Sequence, residues 1–472
     1  MVDRGTVRTV AVAGVLFAGA WLLYRGGGAP EKPRVIVFLP DAGSPQTGDA
    51  RPAGAGDADA DEQGRQAFGE EMERAAKAAD PARTVQLVAD RFSLEWEKGE
   101  LRGEYRLDRS YREYAKLPDA ERAAFVRKRA AGIAGPQLPA TFAEAEAKLV
   151  PIVRERISYE VARIMASPKP HVALRPEPPH VALTDDLWGV LAYETEDQFL
   201  RIEAEVLGGW NVSFDKVWPE AVERLEQRSQ AGTTYVVDGV RELRFKDGND
   251  SARVLFPSLL AKQPLPGGAV AAMPKEDMLL VAGAEDGEAL QALGKRLLGE
   301  WDRGAQNARL VRVGEGKATP FAPTGPKPLE AMFTDLRRST EQRDEGLQRE
   351  ALKKRLGEGE DAPFVTTVMR AKNPTTDVEL TVVVHTEGVD SLIARADYVW
   401  FKRVDVEKRT ATTLGCGAWD AVYPLMKGRW KETPLHPARW LATSLPTAKE
   451  LKGLRCDHPA LRDPPGTTRT VP

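Results

Sequence analysis

Apolar residues alternate with polar ones at period two across Phe92-Leu94-Trp96 and again across Leu101-Gly103-Tyr105-Leu107, around Lys98-Gly99. That spacing predicts a half-buried β-hairpin. The Ala-, Arg- and Glu-rich stretch from Tyr111 to Ile133 reads as one helix, stopping near Gly135-Pro136. After a Pro-dense break at 168–179, strands are expected at Trp188–Tyr193 and Gln198–Ile202, then a helix from Ser213 to about Gln227. Strands Thr234–Val237 and Glu242–Phe245 lead through the turn 246–250 into a helix from Ser251 to about Leu260. A hairpin follows, Ala269–Met273 and Met278–Ala282. The helix Glu285–Trp301 then places Leu290, Leu293, Leu297 and Trp301 on one face. Leu310–Val313 and Ala318–Phe321 close this region. Adjacent strands are mostly joined by tight turns, so the expected class is α+β, with mainly antiparallel sheets covered by helices.

The C-terminal part, residues 329–472, opens with a highly charged helical stretch, Glu330 to Leu356, expected to be solvated along most of its face. Four β segments follow, at Phe364–Ala371, Val378–His385, Tyr398–Asp405 and Thr410–Leu414. The rest is loop-rich and marked by prolines. A second, smaller antiparallel α+β domain is expected here.

The N-terminal end differs in kind. Residues 9–24 (TVAVAGVLFAGAWLLY) carry no charge and are bracketed by Arg8 and Arg25. As a helix they reach about 24 Å, close to the span of a bilayer core, with Trp21 and Tyr24 placed for an interface. An uncleaved inner-membrane anchor within residues 1–30 is the preferred reading, with the bulk of the chain in the periplasm. The alternative is a signal peptide cleaved after Ala18-Gly19-Ala20, which gives a secreted protein. Residues 31–66 are rich in Pro, Gly and Asp and read as a flexible linker. Within them Val35-Ile36-Val37-Phe38-Leu39 is strand-like but has no evident partner.

Composition narrows the function. With 67 basic against 70 acidic side chains and a net charge of −3, the chain lacks the basic excess of a nucleic-acid binder. No dinucleotide fingerprint, phosphate loop, H-E-x-x-H or G-x-S-x-G element occurs, and neither a metal nor a cofactor is expected.

A resemblance enters at two runs. Phe245-Lys-Asp-Gly-Asn-Asp-Ser-Ala-Arg-Val-Leu and Val270-Ala-Ala-Met-Pro-Lys-Glu-Asp-Met-Leu-Leu-Val-Ala resemble the YtpQ-like family of uncharacterised bacterial proteins (domain of unknown function fourteen forty-four). Val150-Pro-Ile-Val-Arg, Thr184-Asp-Asp-Leu and Val222-Glu-Arg-Leu are similar to its milder signatures. The likeness covers residues 83–321 and implies a domain over 67–322; it implies no chemistry.

Candidate sites are few. Asp247 and Asp250, with Asp238 and Glu242 nearby, are the best carboxylate group for a cation or for acid–base work. The loop also lacks the spacing that wraps Ca²⁺, and a Gly-Asn turn at φ > 0 followed by a helix cap explains the same residues without a ligand. Cys416 and Cys456 are candidates for a disulfide, which an extracytoplasmic location permits. A zinc site with His436 and His458 fits no standard spacing, and a catalytic Cys with His385 or His436 has no local support. Trp400, Trp419 and Trp430, with Trp440, Tyr398 and Tyr423, would offer a stacking surface for a glycan or a partner protein if exposed, and otherwise form core. The combined expectation is a membrane-anchored envelope protein that binds rather than catalyses. The alternatives are an enzyme using Asp247 and Asp250, and a cytoplasmic-facing adaptor whose thiols stay reduced.

Overall fold

The computed structural model describes residues 55–472 apart from 90–91, 99–100, 134–137, 196–198, 246, 315–316, 358, 360–361, 373–378, 406, 456–467 and 471–472. The expected anchor at 9–24 and the strand-like run at 35–39 lie outside the described residues. Among the described residues no helix is long and apolar enough to cross a membrane. The protein is mixed α and β, with largely antiparallel sheets. Its described residues form two compact units, one of 55–155 and 178–337, the other of 156–177 and 338–472. The helix Arg156–Ala166 and the Pro-rich break after it, which the linear reading keeps inside the central domain, group with the C-terminal unit.

The first unit begins earlier than the expected linker boundary at residue 66. A helix runs from Ala55 to Ala79, because its Ala-rich, acid-led sequence holds neither Pro nor a β-branched residue. Phe68, Met72 and Ala76 of this helix pack on the hairpin Ser93–Lys98 and Leu101–Arg106 and on Val126, Ala130 and Ile133. The single helix expected at 111–133 is two, Asp108–Tyr114 and Asp119–Ile133. Pro118 has no N–H to continue the ladder and disfavours helical geometry at Leu117. Likewise Pro257 divides the helix expected at 251–260 into a tight turn, Asp250–Leu255, and a short helix, Pro257–Ala261.

The centre of this unit is a six-stranded sheet. In spatial order its strands are Lys317–Phe321, Leu310–Gly314, Ala269–Lys275, Met278–Gly283, Val240–Arg244 and Thr233–Val237. Ala269–Lys275 and Met278–Gly283 are apolar without alternation because both faces are covered. Val270, Ala272, Met278, Leu280 and Ala282 pack under Leu290, Leu293 and Leu297 of the helix Gly287–Asp302. Ala269, Ala271, Met273, Leu279 and Val281 pack with Val153, Leu187 and Leu225 on the other face.

The second unit is more elaborate than the small antiparallel sheet expected. It holds a four-stranded and a five-stranded sheet. The segment read as one strand at 364–371 is two, Phe364–Val365 and Met369–Lys372, one in each sheet. Glu379–Thr386 pairs with Tyr398–Asp405 in parallel, so the chain between them crosses over through Ser391–Ala394 in the other sheet. The helix Lys327–Leu356 is continuous through Gly346. It is not a simple solvated face: Thr340, Asp344, Gln348 and Leu352 are buried at helical spacing.

Candidate functional site

Between the strand Val240–Arg244 and the turn Asp250–Leu255 the chain reverses through Asp247-Gly248-Asn249. Gly248 takes φ +73, a conformation that Gly adopts without Cβ strain. Asp247 Oδ1 accepts the Asn249 backbone N–H at 3.1 Å, an Asx contact that closes the turn. This places Asp247 opposite Arg253, whose side chain is fully buried. Arg253 Nη1 and Nη2 donate to Asp247 Oδ1 and Oδ2 at 2.9 and 2.7 Å. Nη1 also donates to the Asn249 carbonyl at 2.9 Å, and Nε to Ser229 Oγ at 3.0 Å. The guanidinium lies 4.3 Å from the Phe245 ring centre, which adds a cation–π contact. A planar fork with this many partners is what a buried guanidinium needs to offset its lost hydration.

The remaining groups are similarly committed. Asp250, also buried, accepts the Phe245 N–H at 2.8 Å. Burial, reinforced by the nearby charges of Asp247 and Asp277, pushes its carboxyl up to about 6, against the opposing effects of that hydrogen bond and Arg253. Asn249 Nδ2 donates to the Pro151 carbonyl at 2.9 Å, and Ser251 N–H to the Glu276 carbonyl at 2.9 Å. Arg228 forms a two-point pair with Glu194, at 2.7 and 2.9 Å, and stands 3.5 Å from Asp247. The four carboxylates singled out in the sequence therefore do not form one site. Glu242 turns to Arg244 and Arg296, at 2.5 and 2.8 Å, while Asp238 occupies a hairpin tip. No group of three or more metal-ligating side chains suited to a metal occurs among the described residues. With both oxygens of Asp247 on Arg253, the arrangement fixes a loop between two sheets; it presents no free carboxylate pair for a substrate.

In the C-terminal unit the aromatic candidates are core. Trp400, Trp419 and Trp430 are only 2–5% exposed, which overturns the stacking surface. Trp419 stacks on Tyr423 with ring centres 5.8 Å apart and lies 4.8 Å from Trp440. The Trp430 indole N–H donates to the Ser444 carbonyl at 3.1 Å, the usual requirement of a buried Trp. His385 sits edge-on to Trp430, and its Nε2 lies 3.3 Å from the same carbonyl. Burial drives its imidazole down to about 4, so it is neutral at pH 7. Cys416 is buried beside Leu380, Val382 and Trp400 and is disulfide-bonded. The sequence holds one other cysteine, Cys456, which with His458 lies outside the described residues. A bridged sulfur is neither a thiolate ligand nor a nucleophile, so the zinc and catalytic-cysteine alternatives lose their Cys416.

Sequence reasoning missed two features. The first is a buried polar network around Arg439. Its Nε donates to Gln348 Oε1 at 2.6 Å, its Nη1 to the Thr366 and Leu392 carbonyls, and its Nη2 to Glu345. Nearby in sequence, the His436 N–H donates to the fully buried Glu160 at 2.8 Å. Burial raises both Glu160 and Glu345 above the usual carboxylate range.

The second is the strand Thr233–Val237 at the rim of the six-stranded sheet. All five residues are exposed, with Tyr235, Val236 and Val237 at 46, 58 and 59%. Its sequence, Thr-Thr-Tyr-Val-Val, was legible as a strand but not as an edge. The strand is held at its ends: Gly232 backs onto the Phe245 ring, and Gly239 of the turn, at φ +77, backs onto Ala289. A Cβ at either position would fall within 3 Å of those atoms.

No family model, no curated protein and no solved structure matches this chain.

Proposed function

We propose that the chain is a membrane-anchored bacterial envelope protein that works by binding a partner rather than by catalysis, with the edge strand Thr233–Val237 as its binding surface. Residues 9–24 serve as the anchor, and the folded units lie on the periplasmic side. A disulfide at Cys416 supports an oxidising compartment and speaks against the cytoplasmic-facing adaptor. The resemblance to the YtpQ-like family adds a bacterial setting and no activity.

The observation that carries the binding reading is the chemistry of the edge. A strand at a sheet rim presents unpaired N–H and C=O groups, which folded proteins usually guard with Lys, Pro, a bulge or a covering loop. Thr233–Val237 contains no charge, Pro or Gly, and its side chains are solvated on both faces. Such an edge is suited to adding an extended strand from another chain, with main-chain hydrogen bonds supplying affinity.

Val236→Lys places a charge on that edge without touching a buried group. The assembly extracted from membranes should then fall in mass on a native gel, while circular dichroism stays as in the parent. An unchanged assembly would count against this surface.

A further inference from the structure

We propose that the strand received at this edge is the same strand of a second copy of the chain, paired antiparallel about a two-fold axis through Tyr235. The inference rests on reading Thr233–Val237 as a pairing edge.

Backbone geometry shows which groups the edge offers. Asp238 and Gly239 both have positive φ, at +49 and +77, and form a two-residue turn between Val237 and Val240. A turn of this kind closes on a hydrogen-bonded pair, and such pairs alternate along an antiparallel ladder. Val237, Tyr235 and Thr233 therefore direct their backbone groups to the inner neighbour, opposite Val240, Glu242 and Arg244. The N–H and C=O of Thr234 and Val236 point outward, where the sheet order places no further strand among the described residues. Tyr235 lies midway between them. A two-fold axis at Tyr235 sets Thr234 of each copy opposite Val236 of the other, so every outward group of the strand gains a partner. An axis one residue to either side would set two residues of the strand opposite positions outside it.

The side chains and the opposite rim both favour a second copy. The register pairs Thr233 with Val237, Thr234 with Val236 and Tyr235 with its counterpart, so no charge meets its like across the axis. Just beyond the strand it brings Asp238 to Gly232, which has no side chain to obstruct it. Tyr235, Val236 and Val237, exposed in a single copy, would be shielded by the same residues of the other. Gly232 against Phe245 and Gly239 against Ala289 already hold both ends, so pairing orders no new segment. The other rim of the same sheet, Lys317–Phe321, is guarded. The Gly314–Lys317 pair closes its hairpin, so its outward positions are Ala318 and Pro320, and Pro320 has no N–H to donate. Head-to-tail joining of copies would need that rim and would not close on itself. Like-to-like pairing of the bare rim closes after two copies, in one sheet with six strands from each.

The test is disulfide trapping of the full-length protein in detergent, comparing Tyr235→Cys with Val236→Cys and the parent. Both positions are exposed, so neither change disturbs the core. At the axis the two Cα atoms of residue 235 would stand about 4.5 Å apart in a non-hydrogen-bonded pair, within reach of a disulfide. The two residues 236 would be diagonal neighbours more than about 7 Å apart, too far to bridge. Mild oxidation should give about tenfold more covalent dimer from Tyr235→Cys than from Val236→Cys, and none from the parent. The parent itself should sediment as two copies. Equal yields at the two positions would mean random collision and overturn the pairing, as would no covalent dimer at 235 or a parent that sediments as one copy. The native-gel experiment on Val236→Lys judges the edge separately. A fall in mass there leaves the edge standing with a different polypeptide as its partner; an unchanged mass removes the edge as well.

Discussion

Arg253 holds Asp247 through two near-parallel N–H···O bonds of 2.9 and 2.7 Å, six residues apart across one turn. This pair turns the most suggestive acidic motif of the sequence into a structural clasp between the sheet and the short helix after it. Removing Asp247 leaves the fully buried Arg253 without its counter-ion, so Asp247→Ala should destabilise the protein by about 3–5 kcal/mol. Arg253→Ala combined with Asp247→Ala should cost less than the sum of the two single changes. Urea unfolding of the parent, both singles and the double measures this coupling directly.

Asp250 gives the same region a pH signature. Its folded value, about 6, lies above the ordinary unfolded value near 3.9, so folding favours the protonated acid. The associated stabilisation is full below about pH 4 and is lost as pH rises through about 6. Asp250→Asn keeps an oxygen for the Phe245 N–H and carries no charge. It should match the parent at pH 4 and exceed it in unfolding midpoint at pH 7.5. A midpoint difference independent of pH would refute this account of Asp250.

His385 titrates in the opposite sense. Its folded value, about 4, lies below the unfolded value near 6.5, so neutral His385 stabilises the fold above that pH. That contribution is lost as pH falls from about 6.5 to 4. NMR of the His385 ring should show no titration between pH 5.5 and 8; a midpoint near 6.5 would mean that the ring is solvated.

The buried indoles predict stability effects in place of ligand effects. Trp419→Ala should cost about 3–5 kcal/mol, because Tyr423, Trp430 and Trp440 lose the ring they pack on. Glycan titration should leave intrinsic fluorescence unchanged. Saturable quenching would restore the stacking surface that burial removes.

Cys416 links stability to location. Cys416→Ser should lower stability by about 2–4 kcal/mol, since a bridge restricts the unfolded chain. In acid-quenched cells Cys416 should resist alkylation until a reductant is added. Free alkylation before reduction would place it in a reducing compartment.

What the sequence makes legible is decided by local pattern. The hairpin at Ser93–Arg106 and the central strands Ala269–Lys275 and Met278–Gly283 are readable because alternation, or an unbroken apolar run, reports directly on how many faces are covered. Pro118 and Pro257 were visible as residues, yet their power to divide helices depends on neighbours that also favour helix. The short strands Ser391–Ala394 and Arg439–Ala442 carry too few positions to show a period, and the parallel crossover joining the two sheets is a long-range choice. Of the candidate site, the turn at 246–250 was readable from Gly248 and Asn249, while the Asx contact of Asp247 that closes it was not. The role of Arg253 was not, because nothing local distinguishes a buried guanidinium from a solvated one. The exposure of Tyr235, Val236 and Val237 was hidden for the same reason: an apolar edge strand and an apolar core strand have the same composition, and only the position at the end of the strand order separates them.

The central claim, that Thr233–Val237 receives a strand from another polypeptide, is tested most directly by photo-crosslinking in living cells. A photoreactive residue replaces Val236 in one strain and, as control, Leu298, an apolar helix residue that is 42% exposed. The account predicts adducts one polypeptide larger than the protein from position 236 and none from position 298. Larger adducts absent from position 236, or equally abundant from both positions, would contradict it.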